Sequence, residues 1–278
     1  MLEYVIATHS DRDHIAGFVG TSKIEGIFEH YEIETIIDFP RTDKDRNDVA
    51  VLDDYYTLRD QEIENGAKHY TALECFNNEN GASRTYELSP GVEMEILYNY
   101  YYENKSADEN NYSVCLMFNQ GDNHYLFTGD LEKDGEEHLV TYYEDIGDPL
   151  PHCVLYKAGH HGSKTSSSEI LMEAVRPEYV VVCCCAGTSE FTDITANQFP
   201  TQDFINNIAP YTDKVYIPTM VDYYEEGGET KETFKDMNGN IIFTVNNGKI
   251  NIEFGNNDTK LKDTDWFKEN RECPSAWQ

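Results

Sequence analysis

Apolar and polar positions along this chain follow two periods, short apolar runs and three-to-four-residue spacings, which predicts a mixed α/β protein. "EYVIATH" reads as a strand buried on both sides that runs into a polar loop. "IAGFVG" starts a helix beside it, and "EIETIIDFP" is a second strand closed by Pro40, so the chain opens on a β-loop-α-β unit. From Asp43 to Asn77 apolar residues recur at mixed helical spacing among polar ones, which predicts an exposed helical insertion or lid over about 43–77.

Beyond "GASRTYELSPGVEMEILY" the chain turns β-rich, and "YSVCLMFNQGDNHYLFTGD" reads as a hairpin turning around "NQGDN". "LEKDGEEHLVTYYEDI" follows as a helix. "CVLYKAGHHGSKTSSSEILMEAVRPEYVVVCC" reads as strand, loop, Ser/Thr-capped helix and strand, and "PTQDFINNIAPYTDKVYIPT" repeats helix then strand. "GNIIFTVNNGKINIEFG" is a hairpin with an Asn-Gly turn, trailed by the aromatic-bearing polar segment "DTDWFKENRECPSAW". No repeat or low-complexity linker interrupts the pattern. The division it predicts is a main α/β domain over 1–220 and a β-hairpin with a polar appendage over 221–278.

Composition sharpens this picture in three ways. At 278 residues and 39% apolar content the chain can build a substantial core. No run of about 18 apolar residues occurs, and the N-terminus carries neither a basic nor an apolar leader region, so neither a membrane span nor an export signal is expected. Seven cysteines, three of them adjacent in "EYVVVCCCAG" and none in C-x-x-C spacing, read as small core residues in a reduced, cytoplasmic setting. The formal net charge of −31, from 52 acidic against 21 basic residues, repels nucleic acid and anionic membrane. A polyanionic substrate must then be drawn in locally, for example by bound cations. Part of this charge reads as solvation, with "DKDRNDVAVLDD" and "VDYYEEGGETKE" as exposed helical and loop faces.

Candidate chemistry lies in three strand-end loops. "ATHSDRDHIAG" places His9, Asp11, Asp13 and His14 after the first strand. Two imidazoles and two carboxylates so close together exceed what one tetrahedral ion with an open position needs; two ions about 3.5–4 Å apart sharing a hydroxide suit them. The alternative is an acidic turn in which Asp13 caps a helix beginning at Ile15. Asp130 in "LFTGDLE" projects from a strand end, as a ligand bridging two metals or as the cap of a helix from Leu131. "KAGHHGSKTSSSE" supplies His160 and His161 with Ser163 and Lys164, a local donor-rich pocket for an anionic oxygen, or else a Ser-rich capped turn with a satisfied histidine pair.

The order H-x-D-x-D-H-I-x-G, L-F-T-G-D-L-E, K-x-x-H-H-G-S-K-T-S-S-S, over about residues 3–208, resembles the metallo-β-lactamase fold, in particular the branch with the hydrolase domain of ComEC-type DNA-uptake proteins. The resemblance implies an αββα sandwich. It implies that His9 and Asp11 bind one metal, that Asp13 and His14 bind a second, that Asp130 bridges, and that His161, with His160 as the alternative, supplies the last imidazole. The usual superfamily motif is H-x-H-x-D-H; Asp11 agrees with the variant of this branch. Asn111 in "ENNYSV" becomes a contact to metal or substrate. "NQFPTQDFI" resembles a segment where relatives read N-x-Y-G-H-P, and Phe199 stands near the place of that histidine. The family also places several strands and an Asp-Gly-Gly ahead of the histidine motif, so an N-terminally truncated domain is expected.

The implied function is a dinuclear hydrolase, phosphodiesterase- or nuclease-type, using two divalent ions, Zn2+ first and Mn2+ second, with hydroxide as nucleophile. Asp13 and Asp130 are the catalytic candidates, and Ser163, Lys164 and Asn111 hold a phosphate ester, nucleotide or nucleic acid. The competing class is a degenerate metal-binding or partner-binding module; β-lactam or thioester hydrolysis is a third. Metal content separates the first two.

Overall fold

The computed structural model describes residues 1–47, 49–246 and 248–278, which fold as two compact units. The first comprises Met1–Met117 and Thr128–Leu131, the second Phe118–Phe127 and Glu132–Gln278.

In the first unit, β1 (Leu2–Ala7) leads through the loop of residues 8–11 into α1 (Arg12–Val19). A small ribbon of β2 (Gly20–Thr21) and β3 (Ile24–Glu25) and the short α2 (Ile27–His30) precede β4 (Ile33–Asp38), which pairs parallel with β1 from Leu2↔Ile33 to Ala7↔Asp38. Val5 and Ala7 of β1 are buried while Tyr4 and Ile6 keep partial exposure, so the strand is covered on one face, not on both as its apolar run predicts.

The segment expected as a helical insertion is mostly helical but also supplies a strand to the sheet. It holds α3 (Ala50–Glu64), β5 (Lys68–Thr71) and α4 (Ala72–Asn77), and β5 pairs parallel with β4. α3 is therefore the crossover between two parallel strands and has a core face. Leu52 and Tyr55 are buried, and the Tyr55 ring lies 5.7–6.1 Å, between centroids, from those of Phe18, Phe28 and Phe39. A four-residue strand, "KHYT", is too short and too polar to break a helical pattern on either side of it. Antiparallel β6 (Thr85–Ser89) and β7 (Val92–Ile96) follow.

The chain enters the second unit within β8 (Leu116–Gln120) and turns at Gly121 and Asp122 into the neighbouring β9 (Asn123–Phe127), the predicted hairpin. After Thr128–Leu131 comes α5 (Lys133–Asp145), then β10 (Leu155–Lys157), α6 (Glu169–Val175), β11 (Tyr179–Val181), β12 (Cys185–Ala186), α7 (Gln202–Ile208) and β13 (Val215–Tyr216). β9, β10, β11 and β13 form a parallel sheet in the order β13-β11-β10-β9. Ser168 and Thr201 cap α6 and α7 by accepting from Leu171 N and Phe204 N, as the Ser/Thr pattern predicts for α6.

"VDYYEEGGETKE", read above as helical and loop faces, is a hairpin. β14 (Thr219–Glu226) and β15 (Glu229–Asp236) pair across Gly227–Gly228, and β14 adds to β12. β16 (Ile241–Asn246) and β17 (Lys249–Phe254) form the last predicted hairpin, whose Asn-Gly turn at 247–248 includes a residue outside the described ones. Phe243 and Phe254 meet Tyr179 and Tyr216, with centroids 5.6 and 4.8 Å apart. The aromatic tail folds as α8 (Asp265–Asn270), with Trp266 and Phe267 buried. Among the described residues no helix is long and apolar enough to cross a membrane.

Candidate metal centre

The loop after β1 lies at the C-terminal end of a parallel strand, where open α/β sheets present their ligand sites. α1 begins at Arg12 with Asp11 at the N-cap position, and the Asp11 side chain makes no capping hydrogen bond. Asp13 sits within the first turn, so the capping alternative for it does not hold. The same is true of Asp130: α5 starts at Lys133 behind Glu132, two residues farther on.

His9 is fully buried, and the neighbouring His14 ring lies 4.1 Å away between centroids. Both rings are held from behind by hydroxyls. Thr8 Oγ1 lies 3.2 Å from His9 Nδ1 and 3.0 Å from His14 Nδ1, and Ser113 Oγ lies 3.3 Å from His9 Nδ1. With each Nδ1 against a hydroxyl, Nε2 is the nitrogen on the side of the carboxylates, and in the tautomer whose Nδ1–H donates to the hydroxyl it carries the lone pair a cation needs. His14 Nε2 is 3.2 Å from Asp130 Oδ2 and 3.6 Å from Asp13 Oδ2, and His9 Nε2 is 3.7 Å from Asp11 Oδ2.

Ligand atoms of His9, His14 and Asp130 all fall within 4.8 Å of one another. His9 Nε2 is buried with no hydrogen-bond partner among the described residues. An orphaned imidazole nitrogen costs free energy in a closed protein, whereas a divalent cation would satisfy it. This nitrogen-and-carboxylate set fits zinc or manganese.

Asp130 is positioned by the turn it belongs to. Its backbone N–H donates to Ser113 Oγ at 3.0 Å, and Leu131 N–H donates to Thr128 O. Ser113 in turn is fixed by Asn99, whose Nδ2 donates to the carbonyls of Asn111 and Ser113, while Val114 N–H donates to Thr8 O. Asn111 is buried and donates its amide to Ser106 Oγ, 3.0 Å away.

Electrostatics favour the ligating protonation states. The His9 imidazole, and after it the Lys44 ammonium, hold the Asp11 carboxyl well below the usual carboxylate range, against the opposing effect of partial burial. Burial holds His14 below the ordinary histidine range, with Asp130 opposing. In metal-free protein the unfolded chain therefore takes up this proton first, and stability rises with pH across the window just below about 6.5. Urea unfolding in chelator should give a lower midpoint at about pH 5.5 than at about pH 7.5. His14→Gln should remove part of that difference; a variant with the full wild-type pH dependence contradicts the assignment.

In the second unit the histidine loop is a constrained turn. His160 and His161 both adopt left-handed backbone, at φ 42° and 52°, a strained conformation for non-glycine residues that clusters at functional sites. His161 Nδ1 lies 2.7 Å from Cys183 O and so carries the proton, which makes Nε2 its lone-pair face. His160 Nδ1 faces Thr165 Oγ1 at 3.1 Å and Glu132 at 3.7 Å. Ser163 is buried against Thr165, and Lys164 is exposed with Nζ 3.0 Å from Asn197 Oδ1.

Two supports escaped the sequence. Tyr156 OH accepts from Gly159 N and meets Ser167 Oγ, and the fully buried Glu136 accepts from Ser166 Oγ, Ser167 N and Ser168 N at 2.7–3.0 Å. Glu136→Ala strands these buried donors and should destabilise the protein by about 2–4 kcal/mol in denaturant unfolding; a loss under about 0.5 kcal/mol would show the contacts to be dispensable.

An α/β protein with a candidate metal-binding loop is thus the class that fold and site define. No protein-family model matches the chain. It is similar to the Competence protein ComA of Neisseria gonorrhoeae, 45% identical over 91 residues, which is 33% of this chain and 12% of that protein. It is also similar to ComE operon protein 3 of Bacillus subtilis, 33% identical over 76 residues, and to Recombination protein 2 of Haemophilus influenzae, 34% identical over 74 residues. Those two matches each span 27% of this chain, and 9% and 8% of the relatives. The matched stretches span only about a tenth of the length of these curated relatives.

Proposed function

We propose that this chain is a dinuclear metal-dependent hydrolase of the metallo-β-lactamase type that cleaves phosphodiesters. The names of the competence and recombination relatives favour DNA as the substrate class. The observation that carries the reading is the convergence of His9, His14 and Asp130 within 4.8 Å, with both imidazoles braced at Nδ1. Asp11 and Asp13 extend this set with carboxylates, and His161, with His160 as the alternative, completes it by motif order.

When bound, two divalent ions, Zn2+ before Mn2+, polarise the scissile ester and lower the pKa of a water molecule. The chain's own residues do the rest. His9 and His14 present their imidazole nitrogens, the Asp130 backbone is held by Ser113, and the half-exposed Asp13 helps to hold the nucleophilic water. Ser163 and Lys164 hold the phosphate, with Asn111 as a further contact. In a protein of net charge −31 a local cation such as Lys164 is what admits a polyanion.

Protein purified without chelator should hydrolyse bis(4-nitrophenyl) phosphate, lose the activity in EDTA and regain it with Zn2+ or Mn2+. A rate indifferent to chelation overturns the metal mechanism. Bound metal with no hydrolysis of the reporter or of DNA makes the chain a non-catalytic metal-binding module.

A further inference from the structure

A basic residue outside all three motifs bears on the metal loop. Lys44 lies in "DKDRNDVAVLDD", a stretch whose charge reads as solvation, yet its ammonium pairs with Asp11 Oδ1 and donates to Ser10 O at 3.3 Å. The two oxygens of Asp11 are thereby distinguished: Oδ1 faces Lys44, and Oδ2 faces His9 Nε2.

Lys44 is not there by chance of a flexible side chain, because the loop that carries it is tied to the metal loop. The fully buried Ser10 donates to Glu109 Oε1 at 2.6 Å and meets Thr42 Oγ1 at 2.9 Å. Glu109 Oε2 accepts from Asp43 N, Thr42 Oγ1 accepts from Lys44 N, and Asp43 Oδ2 accepts from Tyr112 OH at 2.9 Å. One glutamate thus joins the loop after β1 to the loop after β4, the two adjacent parallel strands.

We infer that Lys44 is a positioning residue for metal binding: it holds the outer oxygen of Asp11, so that the carboxylate meets an ion through Oδ2 alone. The inference rests on the metal-site reading proposed above. Its physical logic is geometry: the Lys44 ammonium occupies Oδ1 and leaves Oδ2, the oxygen that faces His9 Nε2, for an ion. A carboxylate gripped on one oxygen is also pre-organised for one-oxygen coordination, whereas a free one can swing to bind through both.

The test is metal affinity of the full chain, measured by competition with a chromophoric chelator for Zn2+ and for Mn2+, on wild type, Lys44→Met and Lys44→Arg. Lys44→Met should weaken binding by about 10–100-fold, the usual effect of losing a partner of a ligating group. Lys44→Arg, which can still donate to Oδ1, should recover most of it. Unfolding midpoints in EDTA should match for all three proteins, since Lys44 and Asp11 are both partly exposed. Wild-type protein that binds neither metal overturns the metal-site reading and this inference with it. Wild type that binds while Lys44→Met binds as well or more tightly overturns the inference alone, as does loss of affinity that tracks loss of metal-free stability.

Discussion

Asp130→Asn should lower the affinity for divalent metal by more than about 100-fold, beyond the 10–100-fold typical of residues that only support a ligand. Asp130 is buried, its backbone is fixed by Ser113, and its Oδ2 faces His14 Nε2 at 3.2 Å. Asparagine keeps the shape and removes the charge, and its amide end presents hydrogens where a cation needs lone pairs. The fold should survive, because what holds this turn is the backbone bond to Ser113. Chelator competition measures the loss, and an unfolding curve in EDTA close to wild type shows that it is not a folding defect. Wild-type affinity in this variant would remove Asp130 from the centre.

Gly129→Ala should cost about 2–4 kcal/mol of stability in urea unfolding, the sum of a left-handed backbone penalty and overpacking. Gly129 sits at φ +56°, and a Cβ there would come within 2.8 Å of Ser113 Oγ, 2.9 Å of Ser113 Cβ and 3.1 Å of Thr8 Cβ. Both neighbours are the hydroxyl residues that brace the histidine rings and the Asp130 backbone. The substitution therefore strikes scaffold and site together, and metal affinity should fall alongside stability. A destabilisation below about 0.5 kcal/mol would mean that the turn relaxes freely and that the glycine of Thr-Gly-Asp has no steric role.

Much of the candidate centre was legible because strand-end loops leave a sequence trace. An apolar run followed by His9, Asp11, Asp13 and His14, or by Gly129 and Asp130, locates side chains at a strand's end without tertiary knowledge. The cap at Ser168 was readable for the same local reason. What was not readable is held by partners distant in sequence. Thr8 and Ser113 are ordinary hydroxyls until the fold sets them behind two imidazoles, and Lys44 joins Asp11 only because β1 and β4 are neighbours. Nothing in the helical stretch "LEKDGEEHLVTYYEDI" marks Glu136 out from its other acids, yet it is fully buried against the serine turn.

Two element errors have similar causes. β5 was lost because a four-residue polar strand between two helices carries no period of its own. The β14–β15 hairpin was lost because its acids suggested a solvated surface, and most of it is indeed exposed, while the Gly227–Gly228 turn between its strands went unweighted.

The central claim is that His9, His14 and Asp130 belong to a metal centre, and elemental analysis of chain purified without chelator tests it most directly. The account predicts about two equivalents of zinc or manganese per wild-type chain, and a marked depletion in Asp130→Asn purified alongside. Wild-type protein that is folded, carries no divalent metal and takes up none on dialysis against Zn2+ or Mn2+ would contradict it.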